Sequence, residues 1–225
     1  MARAEAWAEI EYPEHVALRR VVYYPESDGE PMAETDVHIS TVIYLREALR
    51  DHFRDDPQVY VAGNLFLYYV EGDPAQVVAP DVFVVFGVPK GDRRLYKVWE
   101  EGRGPDVVFE VTSAGTRAED LGPKKGTYEM LGVREYFIFD PLVEYLEPQI
   151  LGFRLEEQGY RRIEEGPLVS QVLGLELRVE GSELRLYDVK TGEKLLSPPE
   201  GQAARRVAQA EVEYLRTELA RLRGE

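Results

Sequence analysis

Apolar positions along this chain recur with a period of two in some stretches and between three and four in others. The block from Pro105 to Pro141, PDVVFEVTSAGTRAEDLGPKKGTYEMLGVREYFIFDP, instead joins short unbroken apolar runs to a stretch with helical spacing. Val107 to Val111 is a short β-branched run broken by one carboxylate, Glu110, and such a run reads as a buried strand. Thr112 to Gly122 reads as a loop. Pro123 suits the first position of a helix, which runs to about Leu131 with Gly132 as its stop. Tyr136 to Phe139 is a second buried strand, so the block predicts a strand–helix–strand unit. Lys124, Tyr128 and Leu131 share one helical stripe with the apolar residues, which faces the sheet. Lys125 shares a stripe with Glu129 and reads as solvated. Lys124 is therefore the lysine placed to reach back to the strand that carries Glu110.

The remaining pattern is consistent with a mixed αβ domain. Val16 to Tyr24 is β-like, and Asp28-Gly29 suits a turn. Asp36 is placed to cap a helix running to about Phe53, with Val42, Leu45, Leu49 and Phe53 on its apolar face. Val59 to Val61 and Leu65 to Val70 read as two strands around Gly63-Asn64. Pro80-Asp81 opens another apolar run, Val82 to Phe86, and residues 87–104 read as a polar loop. From Leu142 to Leu196 the chain is β-rich, with a hairpin turn at Glu180-Gly181-Ser182. Ser197-Pro198-Pro199 reads as a break that divides a domain over 1–196 from a helical tail over 197–225. In the tail, Ala208, Val212, Leu215, Leu219 and Leu222 are spaced 4, 3, 4, 3, a heptad seam.

Composition narrows the function classes. The chain has 225 residues, no cysteine, three histidines and a net charge of −15. Disulfides and thiolate metal sites are excluded, and scattered His15, His38 and His52 do not suggest a structural zinc site. The acidic balance argues against nonspecific nucleic-acid binding through a basic surface. No run has the length of a membrane span, and MARAEAWAEI lacks the apolar core of a signal peptide. The expectation is a cytoplasmic protein that does not engage a membrane.

The candidate chemistry lies in three residues. Asp81 begins one predicted strand, Glu110 lies within another, and Lys124 arrives from the helix. Two carboxylates and a lysine match what phosphodiester hydrolysis needs. The acids hold Mg²⁺, which prefers oxygen ligands and keeps several waters. The metal polarises the phosphate and lowers the pKa of a bound water, and the lysine orients or deprotonates that water or steadies the transition state. The structural alternative is that Asp81 caps a turn after Pro80 while Glu110 pairs with Lys124.

At these residues the chain resembles a known family. The runs PDVFVVFG, PDVVFEVTS and TRAEDLGPKKGTYEMLGVREYFIFDP are similar to the Uma2 family (once called DUF820), whose members are grouped with restriction endonucleases. The matching positions are Pro80-Asp81, Pro105-Asp106, Glu110-Val111, Ser113, Thr116-Arg117, Asp120, Lys124, Tyr128, Gly132-Val133, Glu135-Tyr136 and Asp140-Pro141. The resemblance covers about residues 20–196. It implies the PD-(D/E)XK nuclease fold, a mixed β-sheet flanked by helices. It also implies that Asp81 and Glu110 bind the metal, with the Val111 carbonyl helping. The fold's usual lysine position holds Thr112 here, and the family moves the lysine to the helix, at Lys124.

Weaker candidates follow. Glu34 and His38 lie near the start of the first long helix, where the fold often places an additional acid, so Glu34 is carried as a catalytic candidate. The family's Glu before this His is Val37 here. Asp106 reads as a strand start rather than a ligand. Ser113 and Arg117 suit phosphate contacts or loop hydrogen bonds equally. The expectation is an endodeoxyribonuclease that uses Mg²⁺, or Mn²⁺ in its place, on DNA. Its rivals are a nuclease-fold binding or regulatory module without catalysis, and a metal-free hydrolase using two carboxylates. The tail's apolar stripe needs a partner, either the chain's own domain or the same helix of a second subunit. The expectation is a homodimer.

Overall fold

The computed structural model describes residues 22–27, 35–164 and 166–223. His15, residues 16–21 of the first β-like run, the Asp28-Gly29 turn and Glu34 lie outside the described residues. In chain order the elements are α1 (Asp36–His52), β1 (Val59–Ala62), β2 (Leu67–Tyr68), β3 (Val77–Val78), β4 (Val82–Phe86), β5 (Tyr96–Lys97), α2 (Val98–Glu101), β6 (Val107–Val111), α3 (Arg117–Leu121), α4 (Pro123–Met130), β7 (Glu135–Phe139), β8 (Ile150–Glu156), β9 (Gly159–Arg162), β10 (Val169–Ser170), β11 (Leu175–Glu180), β12 (Glu183–Asp188) and α5 (Pro198–Arg223).

The expected mixed sheet flanked by helices is present. Six strands run in the order β1-β4-β6-β7-β8-β9. Only β6 and β7 pair in parallel, because α3 and α4 return the chain between them; the other neighbours are antiparallel. Two three-stranded sheets accompany it, β10-β11-β12 and β3-β2-β5. The central strands are buried on both faces, so they read as unbroken apolar runs rather than alternating ones.

The two faces have separate cores. On one, Val42, Leu45 and Leu49 of α1 meet Val82, Val84, Val107 and Phe109, and Leu175, Leu177 and Leu186 of the second sheet close the layer. Leu45 and Leu49 are fully buried, so truncating either to Ala costs roughly 2–5 kcal/mol through lost transfer energy and the cavity left behind. On the other face, Phe83, Val85, Val108 and Ile138 pack with Tyr128 of α4, with Tyr136, and with Leu67 and Tyr96 of the small sheet. Buried carboxylates fasten the pieces. Glu135 accepts from Arg154 at 3.1 Å, from the Gln171 N–H at 2.9 Å and from the Ser170 hydroxyl, tying the second sheet to β7. Asp140 accepts from the Leu142, Tyr145 and Leu146 N–H groups and folds the loop after β7.

Several local expectations are corrected. Thr35, not Asp36, caps α1: its hydroxyl accepts from the His38 N–H at 3.3 Å. Asp36 sits in the first turn, where its charge favours the positive helix end. The strand read over Leu65–Val70 shrinks to β2, which pairs with β3 and β5 and not with β1. The loop read over 87–104 contains β5 and α2, and the loop read over 112–122 contains α3; segments this short carry too few residues to show a period. Pro198 and Pro199 start α5 instead of breaking the chain. Ser197 and Glu200 form a reciprocal cap there: the Ser197 N–H donates to Glu200 at 2.7 Å and the Glu200 N–H to the Ser197 hydroxyl at 3.4 Å. No residue of α5 is buried, so among the described residues the tail does not fold back on its own domain. No described helix is long and apolar enough to cross a membrane.

Candidate active site

The sheet register builds the site. β4 and β6 are antiparallel with Val82 opposite Phe109, so the next step sets Asp81 opposite Glu110. Directly opposed residues in such a ladder project from one face, here the face that α4 covers. The Asp81 N–H donates to Glu110 Oε2 at 3.4 Å, and the Val111 N–H donates to Asp81 Oδ2 at 2.7 Å. The two acids are thereby laced across the end of the ladder.

The start of β4 is itself held from behind. The Asn64 N–H donates to the carbonyls of Pro80 and Asp81 at 3.1 and 3.2 Å. A Cβ on Gly63 would lie 2.7 Å from the Asp81 carbonyl oxygen, so only glycine permits this approach. From the other side of the sheet, the N-terminal turn of α1 brings His38 Nε2 to 3.2 Å from Asp81 Oδ2.

Helix α4 supplies the rest. Lys124 Nζ donates to Glu110 Oε2 at 3.1 Å and lies 3.0 Å from Asp120 Oδ1. The Tyr128 hydroxyl donates to Glu110 Oε1 at 2.5 Å. The helical register thus separates the lysines as the stripe predicts. Lys125, however, is half-buried rather than solvated, because its ammonium sits 4.3 Å over the Phe153 ring. The Glu110–Lys124 ion pair that the structural alternative requires is also present.

Burial sets the electrostatics. Glu110 is 1% exposed. Its removal from water pushes its carboxyl well above the ordinary carboxylate range, Lys124 opposes that shift, and Asp81 and Asp120 reinforce it. Burial alone would weaken the Lys124 ammonium, but Glu110 and Asp120 outweigh it and hold the group above the usual lysine range. Tyr128 is raised by burial and by Glu110.

The donors suit a hard cation. Glu110 and Asp120 share the single ammonium of Lys124, and Asp81 lies against Glu110. Asp120 Oδ2 is buried and has no hydrogen-bond partner among the described residues. No cage of three or more His, Asp or Glu side chains occurs among the described residues. Two carboxylates with positions left for water and phosphate oxygens are the kind of site Mg²⁺ accepts. A cleft of about 860 Å³ opens here, lined by Asp81, Lys124, Thr116, Glu119, Asn64 and Phe66 among others.

The other sequence candidates separate clearly. Asp106 lies at the opposite end of β6, where it accepts from the Phe86 N–H at 2.6 Å and from Arg103 and Arg134, and so starts the strand. The Ser113 N–H donates to Thr116 Oγ1 at 3.1 Å, and Arg117 is exposed. Tyr128 and Asp120 were legible only as a stripe position and a pattern position. The signal available for both was spacing: each lies four residues from Lys124, one turn on either side.

No curated protein matches this sequence. Among solved structures the chain is similar to a crystal structure from Anabaena variabilis ATCC 29413 described as "a putative nuclease belonging to DUF820". Identity is 14%, the match covers 64% of this chain and 76% of that one, and the TM-score is 0.47. The family model of Uma2, described as "Putative restriction endonuclease", matches residues 14–186, well over half the chain. The chain belongs to the Uma2 family.

Proposed function

We propose that the protein is a divalent-metal-dependent endonuclease that hydrolyses phosphodiester bonds in DNA. The observation that carries this reading is the Asp81–Glu110 pair on adjacent strands with the Lys124 ammonium 3.1 Å from Glu110. Membership in the Uma2 family supports it. In this reading Asp81, Glu110 and the Val111 carbonyl hold Mg²⁺, with Mn²⁺ as a substitute. When bound, the ion polarises the phosphate and makes a water nucleophile available near neutral pH.

The chain's own groups do the rest. Lys124, held between two carboxylates, stays an ammonium and steadies the charge that develops on the phosphate. Asp120 and Tyr128 are positioning residues: one fixes the lysine, the other fixes the Glu110 carboxyl. His38 does the same for Asp81. Glu34, which the family resemblance suggests as an additional acid, is retained as a candidate on that ground alone. Working as a homodimer would give the protein two such sites, one for each strand of a duplex.

Incubation with supercoiled plasmid and with single-stranded DNA tests the reading. Cleavage is expected with Mg²⁺ or Mn²⁺ and not in EDTA, and Glu110→Gln should abolish it. Cleavage that ignores the metal would overturn the proposal. Absence of cleavage, with DNA binding retained, would favour the noncatalytic module.

A further inference from the structure

Helix α5 is the largest feature of the fold that the proposed site does not use. None of its 26 residues is fully buried, and only its first turn packs on the body. Its seam residues Val212, Leu215 and Leu219 are about half exposed, and Leu222 is 82% exposed. Helices are held mainly by packing of their apolar stripe, and this stripe has no cover within the described chain. Numbering the heptad from the seam puts Val212 and Leu219 at position a and Ala208, Leu215 and Leu222 at position d. A β-branched residue at one a position with leucine at d favours two strands.

The charges that flank the seam choose the orientation. Position g holds Glu211 and Glu218, and position e holds Arg216 and Arg223. In a parallel pair each g residue faces the e residue five positions on in the other helix. That sets Glu211 against the second copy's position 216 and Glu218 against its position 223, both arginine. In an antiparallel pair g meets g and e meets e, which sets Glu against Glu and Arg against Arg. We propose that α5 forms a parallel two-stranded coiled coil with α5 of a second copy of this chain, registered by Glu211–Arg216 and Glu218–Arg223 pairs between the helices.

The root of the helix fits the same partner. The Ser197–Glu200 cap, with Glu200 bonded to Arg185 and Lys194, fixes how α5 leaves the body. An apolar cleft of about 610 Å³ lies there, lined by Val37, Ile43, Leu184, Pro198 and Pro199 among others. A parallel pair brings both roots, and so both globular domains, to one end. Arg205 falls at an a position and sets two like charges together there, so the association should depend on concentration. The inference stands apart from the nuclease reading, since it uses no residue of that site.

Sedimentation of the full chain over a range of concentrations, with charge-reversed variants, tests it. The unaltered chain should be a reversible dimer. Glu211→Arg with Glu218→Arg, and separately Arg216→Glu with Arg223→Glu, should each dimerise at least about tenfold more weakly, from lost attraction and added repulsion. An equimolar mixture of the two should recover a dimer of one chain of each kind. Because the chain has no cysteine, Leu222→Cys with oxidised glutathione reads orientation alone: a parallel pair cross-links through this d position. A monomeric unaltered chain, reversed chains that dimerise as tightly as the original, a mixture that stays monomeric, or no cross-link in a dimer would each overturn the proposal.

Discussion

At the scale of single residues, Glu110 states the site's problem. A buried carboxylate is costly unless a cation answers it, and one ammonium is shared between it and Asp120. Its folded-state value is raised above the ordinary 4.5. By linkage, the stability associated with the protonated form is fully present below that ordinary value and is lost as pH rises through the raised one. In EDTA the protein should therefore lose melting temperature from Glu110 as pH rises from the acid range toward its raised value. Glu110→Gln should flatten that slope, and Mg²⁺ should restore stability to the unaltered protein at the upper end, since a bound ion favours the folded state. Thermal melts of both proteins across pH, with and without the ion, read this. A Glu110→Gln profile parallel to that of the unaltered protein would show that Glu110 is not the group responsible.

At the scale of elements, the site depends on how β4 begins. Gly63 abuts the Asp81 carbonyl, so Gly63→Ala must push the strand end away. It should cost roughly 1–3 kcal/mol from overpacking and lower activity by displacing Asp81. Gly126, on α4 with open space at its Cβ position, offers the control: Gly126→Ala should stabilise by up to about 1 kcal/mol and leave activity intact. Denaturant melts and a cleavage assay separate the two. The same scale shows what the sequence could reveal. The strands β4, β6 and β7, and helices α1 and α4, were legible because each has a long or strongly patterned apolar set. Lys124 was legible because helical spacing ties it to Tyr128. The pieces β2, β5, α2 and α3 were not, since two to five residues hold no period and their positions are set by neighbours. Thr35 as cap was missed because Asp36 beside it is an equally good capping residue by type, and the S-P-P-E cap of α5 was hidden by prolines that normally signal a break.

At the scale of the whole molecule, two parts with different tasks share one chain. The globular part buries two cores on a mixed sheet and draws Asp81, Glu110, Asp120 and Lys124 to one end of the β4–β6 ladder. Register made that meeting, and a pattern of apolar runs does not give the pairing partner of each strand; this is why the contacts of His38 with Asp81 and of Asp120 with Lys124 came only with the structure, although both residues were already weak candidates by position. In the proposed reading Asp81 and Glu110 form the metal pair while Lys124 supplies a separate, fixed charge. Mn²⁺ binding followed by electron paramagnetic resonance tests it most directly, on the unaltered protein and on Asp81→Asn, Glu110→Gln and Lys124→Ala. Both carboxyl variants should lose the bound ion, while Lys124→Ala should keep it and lose only hydrolysis. Unchanged Mn²⁺ binding in the two carboxyl variants would contradict it.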